Sequence, residues 1–129
     1  MDRRLLLATP ILAAISACAA SNEGPRHFVV FFTSDSAALD TSALAVIRQA
    51  AEIARSNPSA PVRVLGFAAS DWGTAAFNRA LAESRARNVA GGLVTAGVPQ
   101  ARVQIEARGP VSFDSVPLEA RRVEIAIGL

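Results

Sequence analysis

Residues Gly66 to Val89 read GFAASDWGTAAFNRALAESRARNV, a strand end, a polar loop and the first part of a long helix. The helical part carries Phe77, Leu81, Val89 and Leu93. At about 100° per residue these four share one arc, and Arg85 lies in the middle of it. Arginine is seldom buried without a partner, so a guanidinium in an apolar stripe is expected to face a carboxylate, from the protein or from a ligand.

Working outward, Thr74 is the natural N-cap of this helix, and Gly97 followed by Pro99 marks its end. Gly91 and Gly92 fall inside it at about 1 kcal/mol each relative to Ala, so they either permit close packing on the sheet or end regular helix early. Upstream, Pro61 to Gly66 alternates as a strand with Val62 and Val64 on one side. Before it, His27 to Phe32 (HFVVFF) is a nearly continuous apolar run, as expected of a central strand covered on both faces. The polar loop Thr33 to Ala38 leads to a cap at Asp40 or Thr41 and a helix to about Ser56, with Leu44, Ile47, Ala51 and Ala54 on its inner face. Asn57-Pro58 stops it.

Downstream, Val103 to Ala107 is a third strand with Val103 and Ile105 inward. Arg122 to Ile127 is a fourth, with Val123, Ile125 and Ile127 inward and Arg122 and Glu124 outward. The order βαβαββ implies an α/β (α+β) fold, in which a mixed four-stranded sheet carries both helices on one face. The connection Arg108 to Arg121 is long for a hairpin and rich in Pro and Ser, the kind of loop that often borders a site.

The 129 residues, 51% hydrophobic, suit one domain with a substantial core. All 13 basic residues are arginine, and they are interleaved with acids to a net charge of +2, without the basic stripe that tracks a phosphate backbone. Nucleic acid is therefore not an expected partner. At the start, Asp2-Arg3-Arg4 precedes an apolar run, Leu5 to Ala17, too short to span a bilayer and suited to a signal-peptide core. It ends in Ile15-Ser16-Ala17-Cys18, which resembles the lipobox of bacterial lipoproteins, where the cysteine is lipidated and becomes the first residue. Cys18 is the only cysteine, so no internal disulfide is available to explain it. The expected organisation is a signal at 1–17, lipidated Cys18 with a polar tether to 26, and a domain at 27–129. Ala19 after the cysteine resembles the default for sorting to the outer membrane.

The domain resembles the OmpA-like family, the peptidoglycan-binding module of outer-membrane protein A and peptidoglycan-associated lipoprotein. The residues that carry the resemblance are Phe31-Phe32 with Leu39, the glycine-led loop Gly66 to Gly73, Asn78, Leu81, Ser84-Arg85-Ala86, Gly97-Val98, Arg102-Val103, Gly109 and Arg121-Arg122-Val123-Glu124-Ile125. The resemblance implies a site that grips the carboxylate and ammonium of diaminopimelate in the peptidoglycan stem peptide. Arg85 matches the arginine that holds the carboxylate. The loop departs from the family pattern, since Ala69 stands in the column of the usual aspartate and one extra residue precedes Gly73. Asp71 is the candidate to replace that acid, Asp35 is a second, and Asn78 is placed to touch the ligand or the loop backbone. Ala120 replaces an asparagine that begins the family's last motif.

No nucleophile with its base and no placed carboxylate pair is visible, so an enzyme is not expected, nor is a cofactor. His27 has no ligand cluster near it in sequence, and metal binding is not expected. Two functions remain: an outer-membrane lipoprotein that tethers the membrane to peptidoglycan, and a divergent OmpA-like module that binds an envelope protein or itself.

Overall fold

The computed structural model describes residues 26–69, 73–111 and 121–128. The signal, Cys18, Asp71, Trp72 and Ala120 lie outside these residues. Strand β1 (Arg26–Phe31) leads to helix α1 (Thr41–Ser56), β2 (Val62–Ala69), helix α2 (Ala75–Thr95), a single 3-10 turn (Gln100–Arg102), β3 (Val103–Val111) and β4 (Arg122–Ile127). The expected βαβαββ order is the observed one.

The four strands form one sheet in the order β1-β4-β2-β3. β4 runs antiparallel to both β1 and β2, and β2 is parallel to β3. β1, β2 and β3 therefore point the same way, and their C-terminal ends meet the start of β4 at one end of the sheet. The core between sheet and helices is built from Val30, Val62, Val64, Val123, Ile125 and Ile127 below and Ile47, Ala50, Ala54, Ala86, Val89 and Leu93 above. The many alanines bring the helices close to the strands.

Local chemistry explains the boundaries. Asp40 Oδ1 accepts from the Ala43 N–H at 2.7 Å and Thr74 Oγ1 from the Phe77 N–H at 3.1 Å, so each helix starts on a side-chain cap. Asn57 caps the end of α1. Arg102 then donates to the carbonyls of Ala54, Asn57 and Ala60, absorbing the partial negative charge at that helix end. Gly97 takes φ +104°, a left-handed conformation in which glycine carries no Cβ penalty. At Gly66 a Cβ would lie 2.2 Å from the Ala82 carbonyl oxygen, so only glycine lets α2 approach β2 this closely.

Several expectations are corrected. β1 is an edge strand, not a central one, because β4 pairs with it on one side and no described residue pairs with the other. Its coverage is one-sided: Val30 is buried whereas Val29 and Phe31 are exposed. Ile105 is exposed because β3 is the opposite edge. Leu44 lies on the flank of α1, whose buried face runs through Ala43, Ile47, Ala50, Ala51 and Ala54. Phe77 likewise sits beside the buried arc of α2, which is Asn78, Ala82, Arg85, Ala86, Val89, Ala90 and Leu93. α2 does not break at Gly91-Gly92. Gly92 faces α1, where a Cβ would sit 3.1 Å from Ile47 Cγ2, while Gly91 faces open space. β2 and β3 also outrun the expected strands, their ladder continuing past a register shift between Gly66 and Phe67.

Candidate functional site

In open sheets with parallel strands, crevices for ligands form beyond the carboxyl ends of those strands. Here that end gathers the loop after β1, the N-termini of both helices and Arg121 at the start of β4. The loop Thr33 to Asp40 is its best-defined wall.

Arg85 organises that wall. It is fully buried and is the largest of the fully buried side chains. From the middle of α2 its Nε donates to Ser36 O at 2.8 Å, Nη2 to Thr33 O at 3.1 Å and Nη1 to Phe67 O at 3.4 Å. The guanidinium carbon also lies 5.3 Å from the centre of the Phe32 ring. Among the described residues its hydrogen-bond partners are backbone carbonyls, two in the loop after β1 and one in β2, and the expected carboxylate is not among them. A planar fork can satisfy several such carbonyls at once, which a lysine could not reproduce. One N–H on each of Nη1 and Nη2 has no acceptor among the described residues.

Burial pushes the Arg85 pKa down from its ordinary value, the charge of Arg121 lowers it further and Asp35 opposes both, leaving it at about 10. The group is therefore a cation at neutral pH, held under a loop that presents an acid. Asp35 is exposed and adopts φ +56°, the only described non-glycine residue with a positive φ. This left-handed turn is tolerated best by Asp and Asn, and it projects the residue from a backbone clamped at Thr33 and Ser36.

Two further residues fix the loop. Asn88, one turn beyond Arg85 on α2, donates from Nδ2 to Ala37 O at 2.7 Å, and Arg121 donates from Nη1 to Ser34 Oγ at 2.7 Å. Sequence reading did not assign Asn88 to the site and treated Arg121 only as part of a family motif. The helical spacing of Asn88 from Arg85 was the available signal. Asn78 is buried in the first turns of α2, and a Cβ on Gly73 would lie 3.8 Å from its Oδ1, so it borders the second loop rather than the first. The structure thus brings Arg85 and Asp35 together, places Asn78 toward Gly73, and leaves Asp71 and Cys18 outside the described residues. Among those residues no group of three or more His, Cys, Asp or Glu could hold a metal ion, and no helix is long and apolar enough to cross a membrane.

Against known proteins, the OmpA family model matches residues 31–116. The chain belongs to the OmpA family. Outer membrane protein 40 of Porphyromonas gingivalis is 41% identical over 81 residues, which are 63% of this chain and 21% of that protein, so this chain spans about a fifth of that curated relative. The crystal structure of the peptidoglycan-associated lipoprotein from Burkholderia pseudomallei matches with a TM-score of 0.70 at 24% identity, covering 78% of this chain and 89% of that one. The OmpA-like domain of FopA1 from Francisella tularensis matches at 0.72 with 19% identity, covering 79% and 71% respectively. The periplasmic domain of Helicobacter pylori MotB matches at 0.66 with 21% identity over 77% of this chain and 67% of that one. At these identities the structural likeness establishes the fold, a mixed four-stranded sheet with two helices. By their names, one of these relatives is an outer membrane protein, one is a peptidoglycan-associated lipoprotein and one has a periplasmic domain.

Proposed function

We propose that this chain is a cell-envelope lipoprotein whose OmpA-like domain binds peptidoglycan non-covalently through the diaminopimelate of its stem peptide. The observation that carries the reading is the buried Arg85 cation beneath the Thr33–Asp40 loop, with exposed Asp35 held in a left-handed turn beside it. A zwitterionic ligand end needs both signs of charge within one crevice. Arg85 keeps two guanidinium N–H groups for a carboxylate, and Asp35 offers a carboxylate to an ammonium. Asp71 is assigned the second acidic contact, in place of the acid whose column Ala69 occupies, and Asn78 supports that loop. The anchor is assigned to Cys18, with outer-membrane placement and the domain facing the periplasm. The role is binding, not catalysis.

Co-sedimentation of the chain with purified diaminopimelate-type peptidoglycan at low salt tests the binding role, with lysine-type peptidoglycan as the contrast. Retention by the first and not the second is expected; equal retention or none refutes it. Intact mass of the membrane-extracted protein tests the anchor: a chain beginning before Cys18, or lacking acyl mass, refutes it.

A second reading has one observation in its favour. Arg85 is fully buried and spends three donors on protein carbonyls, which is also how a purely structural arginine behaves. On that reading the domain is a divergent module that binds an envelope protein or itself. Variants of Arg85 and Asp71 separate the two. Ligand binding predicts lost retention on peptidoglycan for both Arg85→Ala and Asp71→Ala, with little loss of stability for Asp71→Ala. A purely structural Arg85 predicts a stability loss for Arg85→Ala and no effect of Asp71→Ala on retention.

A further inference from the structure

The two edges of the sheet differ in kind. β3 carries Glu106, Arg108 and Pro110, and its ladder with β2 has a register shift, all features that discourage a new strand from pairing. β1 reads RHFVVF, with no proline, no register shift against β4 and no Asp, Glu, Lys or Arg after Arg26. The Phe32 N–H donates to Arg121 O at 2.9 Å, extending the β1–β4 register by one pair. Backbone groups alternate along a strand, so Phe28, Val30 and Phe32 bond toward β4 while His27, Val29 and Phe31 direct their N–H and C=O groups to the edge that no other described strand covers. Val29 is 36% and Phe31 47% exposed, so the outward-bonding positions also carry apolar side chains in water.

We propose that this edge pairs with a second copy of the chain, β1 against β1, antiparallel about a two-fold axis at Val29. That axis sets Val29 opposite Val29 of the second copy and His27 opposite Phe31 in both directions. All three pairs join outward-facing backbone groups. Side chains opposite one another then fall on the same face, so the exposed apolar residues cover each other without like charges meeting, and Arg26 falls beyond the paired segment. The occupant is a second copy because its β1 is already an ordered strand held by β4. A flexible peptide from another protein would lose its conformational freedom on binding, a cost that a preformed strand avoids. The pairing does not depend on the peptidoglycan reading, and its test uses no peptidoglycan.

The test is oxidation of the full chain carrying Val29→Cys in detergent, followed by non-reducing electrophoresis. Directly opposed residues in a hydrogen-bonded antiparallel pair have Cα atoms about 5.5 Å apart, inside the range a disulfide spans. The controls are the unaltered chain, whose one cysteine is Cys18, and Ile105→Cys on the other edge. Covalent dimer should form at least about tenfold faster with Val29→Cys than in either control, because a paired thiol meets its partner at high effective concentration. Equal rates, or a cross-link to a different polypeptide, overturn the proposal. Val29→Lys guards against an altered cysteine variant: it sets two cations face to face and should shift sedimentation from dimer to monomer with an unchanged melting temperature. A wild-type chain that sediments only as monomer, or a Val29→Lys chain that remains dimeric, also overturns it.

Discussion

Replacing Arg85 by methionine tests whether the guanidinium holds the Thr33–Asp40 loop to β2. The variant removes three charge-assisted bonds, to Thr33 O, Ser36 O and Phe67 O. At about 1.5–3 kcal/mol each, these amount to roughly 4–9 kcal/mol. The variant also relieves the burial of a cation whose pKa is pushed down to about 10, a cost on the order of 3 kcal/mol. Thr33 and Ser36 lie in a surface loop, and their carbonyls can turn to water once released. The expected net loss is therefore about 2–4 kcal/mol, which for a domain of this size lowers Tm by at least roughly 10 °C. Urea denaturation followed by circular dichroism measures it directly.

The pH dependence adds a second check. The folded pKa of Arg85 lies below its unfolded value, so its unfavourable contribution is complete below the folded pKa and is relieved only as pH rises above about 10. Between pH 5 and 8 the residue is charged in both states, and the stability difference between wild type and Arg85→Met should be flat. Arg85→Lys, which keeps the charge without the fork, should fall between the two. A loss under about 1 kcal/mol for Arg85→Met, or wild-type stability for Arg85→Lys, refutes the loop-clamp account.

Three further outcomes follow from the packing. Gly66→Ala should destabilise the domain by about 3 kcal/mol or more, since its Cβ would lie 2.2 Å from a backbone oxygen that can move only by shifting α2; a near-neutral melt contradicts this. Gly91→Ala should stabilise by about 0.5–1 kcal/mol because a methyl there meets no atom within 4 Å, whereas Gly92→Ala must displace Ile47 and should gain less or lose; calorimetry of the pair decides it. Arg102→Met removes the side-chain donor from the carbonyls of Ala54, Asn57 and Ala60, the first two of which keep the N–H groups of Asn57 and Ala60, and should cost about 1–2 kcal/mol, with faster amide exchange in the last turn of α1.

How much of this was legible depended on whether the cause was local. The caps at Asp40 and Thr74 and the glycine at Gly97 were readable because each satisfies backbone groups within a few residues of itself. The burial of Arg85 was readable from helical spacing alone. Its partners were not, because backbone carbonyls carry no residue type and Thr33 and Ser36 meet Arg85 only after the sheet forms. The apolar run of β1 suggested a central strand, yet β4 enters between β1 and β2 and leaves β1 at the edge, a choice made by topology. Leu44 and Phe77 were misplaced because small alanines let the helices pack along a neighbouring arc, which hydrophobicity alone undervalues. Gly92 showed the same bias: the pattern foresaw close packing on the sheet, and the contact is with Ile47 of α1.

The central claim, that the Arg85–Asp35 crevice captures the diaminopimelate end of a stem peptide, is tested most directly by titrating a soluble diaminopimelate-containing stem peptide into the labelled protein. Amide resonances and the Arg85 Nε–H are followed by NMR. Saturable shifts concentrated at Thr33 to Ala37 and at the Arg85 side chain, lost in Asp35→Ala, are the predicted result. An unchanged spectrum at millimolar peptide, or shifts confined to residues away from this loop, contradicts the claim.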